Sequence, residues 1–485
     1  MHPGIGFNKG SSVYLIGIKG TGMAALAELL QNRGVIVTGS DRNEIFYTDT
    51  VLKELKIPYY ESFDANNIKK IKTPPDLVIY SDAYSFETNP EMAEARSLGF
   101  PVCKFSEALG AYSALYDSCG IAGVHGKTTI TAMTGTLMRG VELPVQVLVG
   151  SAVLGFGNRS TLNLGNKYFV AETDEYRRHF LSFEPRRIVL SSIEPDHQDY
   201  FPDYNSILQA YLEYLRKLPA DGELIYCADN PGACEAAQII STEKNTIKLI
   251  PYGFTANGDW GIVSHTSGNG RQKIKLRGLG SEFELHIPGK HSCLNAAAAI
   301  ALTSSLVKNE YNGWNNKLEL KAVEALKEFK GSRRRSEIIG EAGGILFIDD
   351  YGHHPSEVKT TVAGYREFFG RRLVLSFMPH TYTRTAALLD EFASSFENAD
   401  IVMLHKIYGS ARENYTGGIT GHTLYEMAKN LYGDKVLYCE EPEDAAETLK
   451  DILRSGDLFV TMGAGDNWKL GRKLLEFYSG NQGKA

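Results

Sequence analysis

The stretch Gly120-Ile121-Ala122-Gly123-Val124-His125-Gly126-Lys127-Thr128-Thr129 carries the residue types of a phosphate loop. Glycines let backbone wrap a phosphate, and a helix opening behind them aims its free N–H groups at the oxygens. Lys127 is placed to reach β- and γ-phosphates, and the Thr128 hydroxyl to hold Mg²⁺. The common form of this loop puts its first glycine at position 121, which is Ile121 here, while Gly123 stands close before Gly126. The loop is therefore a variant. The competing reading is a glycine-rich turn that only opens a helix, but Gly-Lys-Thr-Thr directly after a strand favours a nucleoside triphosphate. As a loop residue, Lys127 is expected to matter for turnover and little for folding.

A second glycine cluster, Gly17-Ile18-Lys19-Gly20-Thr21-Gly22-Met23, also lies between a strand and a helix. A dinucleotide fingerprint needs glycine at 17, 19 and 22. Lys19 breaks it, so a nucleotide diphosphate at the helix N-terminus fits better than NAD. Ser40 and Asp41 close the following strand, where an acid meets a ribose in such folds. A packing cluster of glycines is the plainer alternative.

Glu172, in Val170-Ala171-Glu172-Thr173-Asp174-Glu175, and His197, in Glu194-Pro195-Asp196-His197, each follow a strand-like run. Strand C-terminal ends are where parallel sheets bind ligands. The pair is a candidate for a second Mg²⁺, although taken singly each reads better as structural, His197 as a satisfied strand-end histidine and Glu172 as a surface carboxylate. Farther on, Asp349-Asp350-Tyr351-Gly352-His353-His354-Pro355 and Pro379-His380-Thr381-Tyr382-Thr383-Arg384-Thr385 put acid, phenol, imidazole and guanidinium at two more strand ends. These suit polar recognition or acid–base work, with Arg384 able to grip a carboxylate or phosphate bidentately. Asn295 could meet an adenine at a helix start. Arg333-Arg334-Arg335 reads first as a solvated charged face.

The elements that must carry these groups follow a β-α-β-α rhythm. Strand-like runs at 13–16, 35–37 and 76–80 alternate with helical patterns at 23–31, 48–55 and 90–98, which predicts a parallel sheet flanked by helices. Gly34 is placed as a helix-ending glycine, and Gly140 is expected to close the helix over 129–139. Further strands are expected at 168–171, 188–193, 345–348, 372–376, 401–404 and 458–461. The stretch 255–290 reads as antiparallel hairpins. The fold class is α/β with three domains: a Rossmann-like one over 1–114, a central P-loop ATPase-like mixed sheet over 115–330, and a second Rossmann-like one over 331–485.

Composition narrows the function. The 485 residues hold 51 Lys+Arg against 58 Asp+Glu, a net charge of −7, which argues against a general nucleic-acid binder. No apolar run reaches the ~18–20 residues of a membrane span. Met1-His2-Pro3-Gly4 does not open a secretory signal, and the six cysteines form no C-x-x-C pair, so reduced thiols in the cytoplasm are expected.

Taken in order, these motifs resemble the Mur ligase family, which builds the peptide stem of the bacterial cell wall. The resemblance runs from Gly17 to about Trp468. It implies an ATP loop at Gly123 through Thr129 and a second metal site at Glu172 and His197. It also implies nucleotide contacts from His291, Asn295, Arg334 and Asp350. UDP-sugar contacts would come from Gly17, Gly20, Thr21, Gly22, Met23, Ser40 and Asp41, and amino-acid positioning from Tyr351, His353, His380 and Arg384. The implied reaction joins an amino acid to UDP-N-acetylmuramate using ATP and Mg²⁺, through an acyl phosphate. Tyr351-Gly352 and the 380–385 stretch are similar to members that add L-alanine. Asp174-Glu175-Tyr176 and Pro195-Asp196-His197-Gln198-Asp199 are similar to recycling members that attach a tripeptide. Lys19 departs from a usual glycine, Ser292 from asparagine, Thr381 from arginine and Ser336 from phenylalanine. Residues 198–215 hold no lysine, so a carbamoylated lysine is not expected there. A P-loop ATPase or kinase without ligase chemistry, and a dinucleotide oxidoreductase, are the readings from other classes.

Overall fold

The computed structural model describes residues 6–71, 73–198, 200–409, 413 and 417–480. The Met1-His2-Pro3-Gly4 start and Asp199 of the motif above lie outside them. The chain divides into two compact units. One comprises Met1–Ile193, Leu208–Pro251 and Ala298–Trp314; the other comprises Glu194–Ile207, Tyr252–Ala297 and Asn315–Ala485.

The first unit opens with strands β1 (Ser12–Ile16), β2 (Ile36–Ser40), β3 (Tyr59–Tyr60), β4 (Leu77–Tyr80) and β5 (Val102–Lys104), ordered β3-β2-β1-β4-β5. All neighbours pair in parallel, as the alternating pattern predicts. Tyr14, Ile16, Val78, Met92 and Ala95 form a buried cluster on this sheet. One helix signal works as read: Gly34 takes φ +85° after the helix Thr21–Asn32. Asn89 caps Pro90–Ser97 by accepting from the N–H groups of Glu91 and Met92.

The same unit continues with β6 (Asp117–Ala122), β7 (Val145–Val153), β8 (Arg159–Asn163), β9 (Tyr168–Glu172), β10 (Arg187–Leu190) and β11 (Glu223–Cys227), in the order β11-β10-β6-β9-β7-β8. Only β7–β8 is antiparallel among these pairs. Two expectations need correction. The helix Lys127–Gly140 runs through Gly140, and it is Glu142 that takes the positive φ, with its N–H on the Arg139 carbonyl. Strand β10 stops at Leu190 rather than Ile193, because Ser191 and Ser192 turn to the phosphate loop.

Strand β12 (Lys248–Gly253) leads into the second unit. There β13 (Trp260–Gly268), β14 (Arg271–Leu276) and β15 (Glu282–Leu285) form the expected antiparallel hairpins. Its larger sheet contains β16 (Glu337–Ala342), β17 (Ile345–Asp350), β18 (Arg372–Phe377), β19 (Ile401–Leu404), β20 (Val436–Tyr438) and β21 (Asp457–Met462), ordered β16-β17-β21-β18-β19-β20. Strands β17 to β20 are parallel and β16 is an antiparallel edge. Near-continuous apolar runs such as Leu373-Val374-Leu375 suit a sheet covered on both faces. The three sheets make the chain α/β throughout, as expected. All six cysteines are free thiols. Among the described residues no helix is long and apolar enough to cross a membrane.

Candidate active site

The phosphate loop joins β6 to the helix Lys127–Gly140. Gly123 (φ +128°) and Gly126 (φ +83°) hold conformations that L side chains rarely adopt. A Cβ on Gly123 would collide with the Ser191 hydroxyl, so the loop closes on the residues that follow β10 only with glycine there. Ser192 completes the clasp: its carbonyl accepts from Val124 N (3.0 Å) and its hydroxyl from His125 N (3.1 Å). Acceptors and donors that would extend the ladder instead fix the loop.

Lys127 Nζ turns back over this loop. It donates to the Gly123 carbonyl at 2.7 Å and pairs with Glu175 Oε2 at 2.8 Å. Burial pulls its pKa down, but Glu175, Asp174 and Glu172 outweigh burial and hold it above the ordinary lysine value. The lysine is thus a fixed cation. Thr128 Oγ1 donates to Glu172, with Oε2 at 2.9 Å and Oε1 at 3.1 Å, and Gly150 N donates to the same Oε2 at 2.8 Å. Hydroxyl and carboxylate oxygens side by side, beneath a loop of backbone N–H groups, are the donor set a hard cation such as Mg²⁺ takes. The residues present fit that ion. The structure brings together Lys127, Thr128 and Glu172, three residues singled out in the sequence. Sequence reading did not pick out Glu175 as the partner of Lys127, although Glu175 stands only three residues past Glu172.

Around the first glycine loop, Gly17 has φ +86°, and a Cβ on it would lie 2.8 Å from the Tyr84 ring. A Cβ on Gly22 would lie 2.8 Å from Phe105, so this glycine lets the helix Thr21–Asn32 approach closely. Gly20 is its N-cap, with no side-chain capping bond, and no acid stands in its first turn. The leading N–H groups are therefore left without an acceptor from a capping side chain. Met23 is buried, as is Asp41, whose Oδ2 accepts from Lys19 N at 2.6 Å. Ser40 is turned the other way: its hydroxyl donates to buried Glu91, which also accepts from Tyr14 and Asn67. Ser40 supports the sheet end through Glu91, a partner sequence reading did not identify.

The second unit gathers Asp196, His353, His380 and Arg384. The Arg384 guanidinium grips Asp196 Oδ1 through Nε (3.0 Å) and Nη2 (2.7 Å), and its Nη1 donates to the His380 carbonyl at 3.1 Å. The bidentate partner expected for Arg384 is thus a carboxylate of this protein. Burial, the largest single influence, would raise the Asp196 carboxyl, but the charge and hydrogen bonds of Arg384, with His197 and His353, together outweigh it and hold it well below the usual carboxylate range. His197, the neighbouring residue, takes φ +52°. His353 and His380 stack edge to face, with ring centroids 5.7 Å apart. Burial first, then Arg384, push His353 down to about 3 and His380 to about 4, so both are neutral near pH 7. His353 donates from Nδ1 to the Tyr351 carbonyl at 2.9 Å, which leaves Nε2 as an acceptor.

The arginine triplet is not a merely solvated face. Arg334 pairs with Asp349 at 3.0 Å, and the guanidiniums of Arg334 and Arg335 both lie 5.1 Å from the Tyr351 ring. Burial pushes Asp349 up to about 6 against the pull of Arg334. Asp350 accepts from Ser336 N, Gly352 N and Tyr365 OH at 2.7 to 2.9 Å, so its carboxylate shapes the loop that displays Tyr351. Thr381, where the resemblance expects arginine, caps Tyr382–Ala387. The helix Lys290–Tyr311 begins earlier than expected, which places His291 in its first turn and a buried Asn295 one turn on. Ser292 donates to the Pro288 carbonyl at 2.7 Å and closes that turn.

Comparison with known proteins agrees with this geometry. Residues 12–117 match the model described as the Mur ligase family catalytic domain, 121–303 the Mur ligase middle domain, and 334–465 the Mur ligase glutamate ligase domain. A UDP-N-acetylmuramate–L-alanine ligase of Treponema pallidum is 48% identical over 474 residues, 97% of each chain. One from Borreliella afzelii is 35% identical over 96% of this chain and 99% of its own. Among solved structures, the UDP-N-acetylmuramate–alanine ligase of Thermotoga maritima superposes with a TM-score of 0.76 at 24% identity, covering 97% of this chain and 99% of that one. A murein peptide ligase from Psychrobacter arcticus gives 0.66 at 22% identity over the same shares. These two likenesses bear on fold.

Proposed function

The chain belongs to the Mur ligase family, and we infer from this that it joins L-alanine to the lactyl carboxylate of UDP-N-acetylmuramate at the expense of ATP. One observation carries the reaction type: a glycine loop whose lysine is held charged stands beside a threonine–glutamate oxygen pair. The end-to-end match to alanine-adding relatives carries the choice of substrates.

The chemistry follows from what a carboxylate lacks. It is a poor electrophile, and an amine does not displace its oxygen in water. Transfer of the γ-phosphoryl group to the lactyl carboxylate gives an acyl phosphate with a good leaving group. The alanine amine then adds to the acyl carbon, and inorganic phosphate departs with the C–O bond electrons. In this reading Lys127 exchanges Glu175 for phosphate oxygens and stabilises charge on the group in flight. Thr128 and Glu172 would hold Mg²⁺, which when bound offsets phosphate charge. His197 enters as a further metal ligand on the family resemblance alone.

The domain roles are part of the proposal: 1–114 for the UDP sugar, 115–330 for ATP and 331–485 for the amino acid. Leading N–H groups of the Thr21–Asn32 helix with no capping side chain support the first role. His291 and Asn295 are proposed to contact adenine, and Tyr351, His353 and His380 to position alanine. Neutral His353 and His380 support that last role, since neither would repel a cationic amine on its way to deprotonation. The reading includes a cytoplasmic location, where ATP and nucleotide sugars are at hand. The test is coupled phosphate release: it should require UDP-N-acetylmuramate and an amino acid together. Release with ATP alone would make the protein an ATPase instead.

A further inference from the structure

Lys19 breaks the glycine pattern of the first nucleotide loop, yet its side chain is not offered to solvent or to a ligand. The residue is 2% exposed. Each of its polar groups is held. The N–H donates to Asp41 Oδ2 at 2.6 Å, and the carbonyl accepts from Thr48 Oγ1 at 2.5 Å. Nζ donates to the Glu44 carbonyl at 2.9 Å and pairs with Asp49 Oδ1 at 3.0 Å, with the Tyr59 ring 5.3 Å away. Asp49 is fixed in turn by Tyr59 OH at 2.6 Å and Phe46 N at 2.7 Å.

Burying an ammonium is costly unless it is paired and hydrogen-bonded. A glycine at this position would carry no such cost. The cost falls at the centre of the loop, between Gly17, which needs its positive φ, and Gly20, which starts the helix. It yields a mechanical link: the 17–23 loop is tied to the 44–49 segment through one buried ion pair and two side-chain-to-backbone hydrogen bonds. Backbone N–H groups that must meet a diphosphate are most useful when they need not reorganise on binding.

We propose that Lys19 is a positioning residue for the sugar-nucleotide substrate: its buried ammonium, locked on Asp49 and the Glu44 carbonyl, holds the 17–23 loop in the shape that receives a diphosphate. The inference rests on the assignment of this loop to the UDP sugar. It adds a device that replaces the flexibility of a glycine-only loop with a preformed one.

The test varies each substrate in turn for wild type, Lys19→Met, Asp49→Asn and the Lys19→Met/Asp49→Asn double variant, with melting temperature and calorimetric binding of UDP-N-acetylmuramate alongside. In Lys19→Met, KM and Kd for UDP-N-acetylmuramate should rise roughly tenfold while kcat and the KM for ATP stay within roughly twofold. The single variant leaves Asp49 buried without its cation, so its melting temperature should also fall. The double variant removes that orphan charge and should recover the melting temperature but not the KM; it also serves if the single variant does not fold. A KM that stays at the wild-type value, or that recovers together with the melting temperature, would make the pair merely structural and overturn the proposal. Wild-type enzyme that fails to bind UDP-N-acetylmuramate would remove the functional reading itself, and that result is distinguishable because it appears without any substitution.

Discussion

Glu175 Oε2 stands 2.8 Å from Lys127 Nζ, and the Glu175 side chain is 1% exposed. The carboxylate occupies the cation that a triphosphate needs, so nucleotide must share or displace it. Lys127→Ala should therefore do two things. Turnover should fall on the order of 10²–10³-fold through loss of a preorganised cation. Stability should fall as well, because the buried Glu175 side chain loses its cation. The expectation that a loop site leaves folding untouched misses that partner. Lys127→Ala/Glu175→Gln should regain melting temperature without regaining ADP release.

The Thr128–Glu172 pair makes a metal prediction. Glu172→Ala removes the acceptor shared by Thr128 Oγ1 and Gly150 N. The Mg²⁺ concentration for half-maximal turnover should rise, while binding of a fluorescent ATP analogue survives. A Mg²⁺ titration that superposes on wild type would return Glu172 to a structural role.

Arg384 and Asp196 form a buried bidentate pair, each about 5% exposed. Arg384→Ala takes the guanidinium from buried Asp196, leaving the His197 N–H on Oδ1 at 2.7 Å, and should cost about 3 kcal/mol. Adding Asp196→Asn should return most of the loss. Equal denaturation midpoints for Arg384→Ala and wild type would show that the pair does not persist in solution.

Acid should destabilise the second unit through its buried histidines. His405 is fully buried, donates from Nδ1 to the Cys439 carbonyl and accepts from Ser376 at Nε2, and burial pushes it down to about 4. In the unfolded chain it titrates near the ordinary histidine value of about 6.5. Between those values the unfolded state binds a proton that the folded state refuses, so stability is full above about 6.5 and is lost as pH falls toward about 4. One such group supplies about 2 kcal/mol of that loss by pH 5. His405→Gln should flatten the slope of melting temperature against pH between 5 and 7; an unchanged slope would assign it to other groups.

The β-α-β rhythm and both glycine loops were legible because strand, turn and helix signals there are neighbours in sequence. The partners were not. Glu175, Asp49 and Asp196 are acids among 58 Asp and Glu, and nothing local says that they neutralise Lys127, Lys19 and Arg384. The end of β10 misled for the same reason. Ser191 and Ser192 read as continuing an apolar strand, but their hydroxyls satisfy the backbone of a loop some 66 positions earlier. Arg334 and Arg335 read as part of a solvated triplet because the Tyr351 ring, 5.1 Å from each guanidinium, becomes a neighbour only after β17 pairs with β16.

The central claim is the choice of acceptor, and ADP release with UDP-N-acetylmuramate against single amino acids and one tripeptide tests it most directly. Hydrophobic pockets separate substrates differing by a methylene by only ~1–3 kcal/mol, so L-serine and glycine should be used more weakly than L-alanine rather than rejected. L-Alanyl-γ-D-glutamyl-diamino acid tripeptide should give no turnover. Faster ADP release with the tripeptide than with L-alanine would contradict the account and make recycling of cell-wall peptide the reaction of this chain.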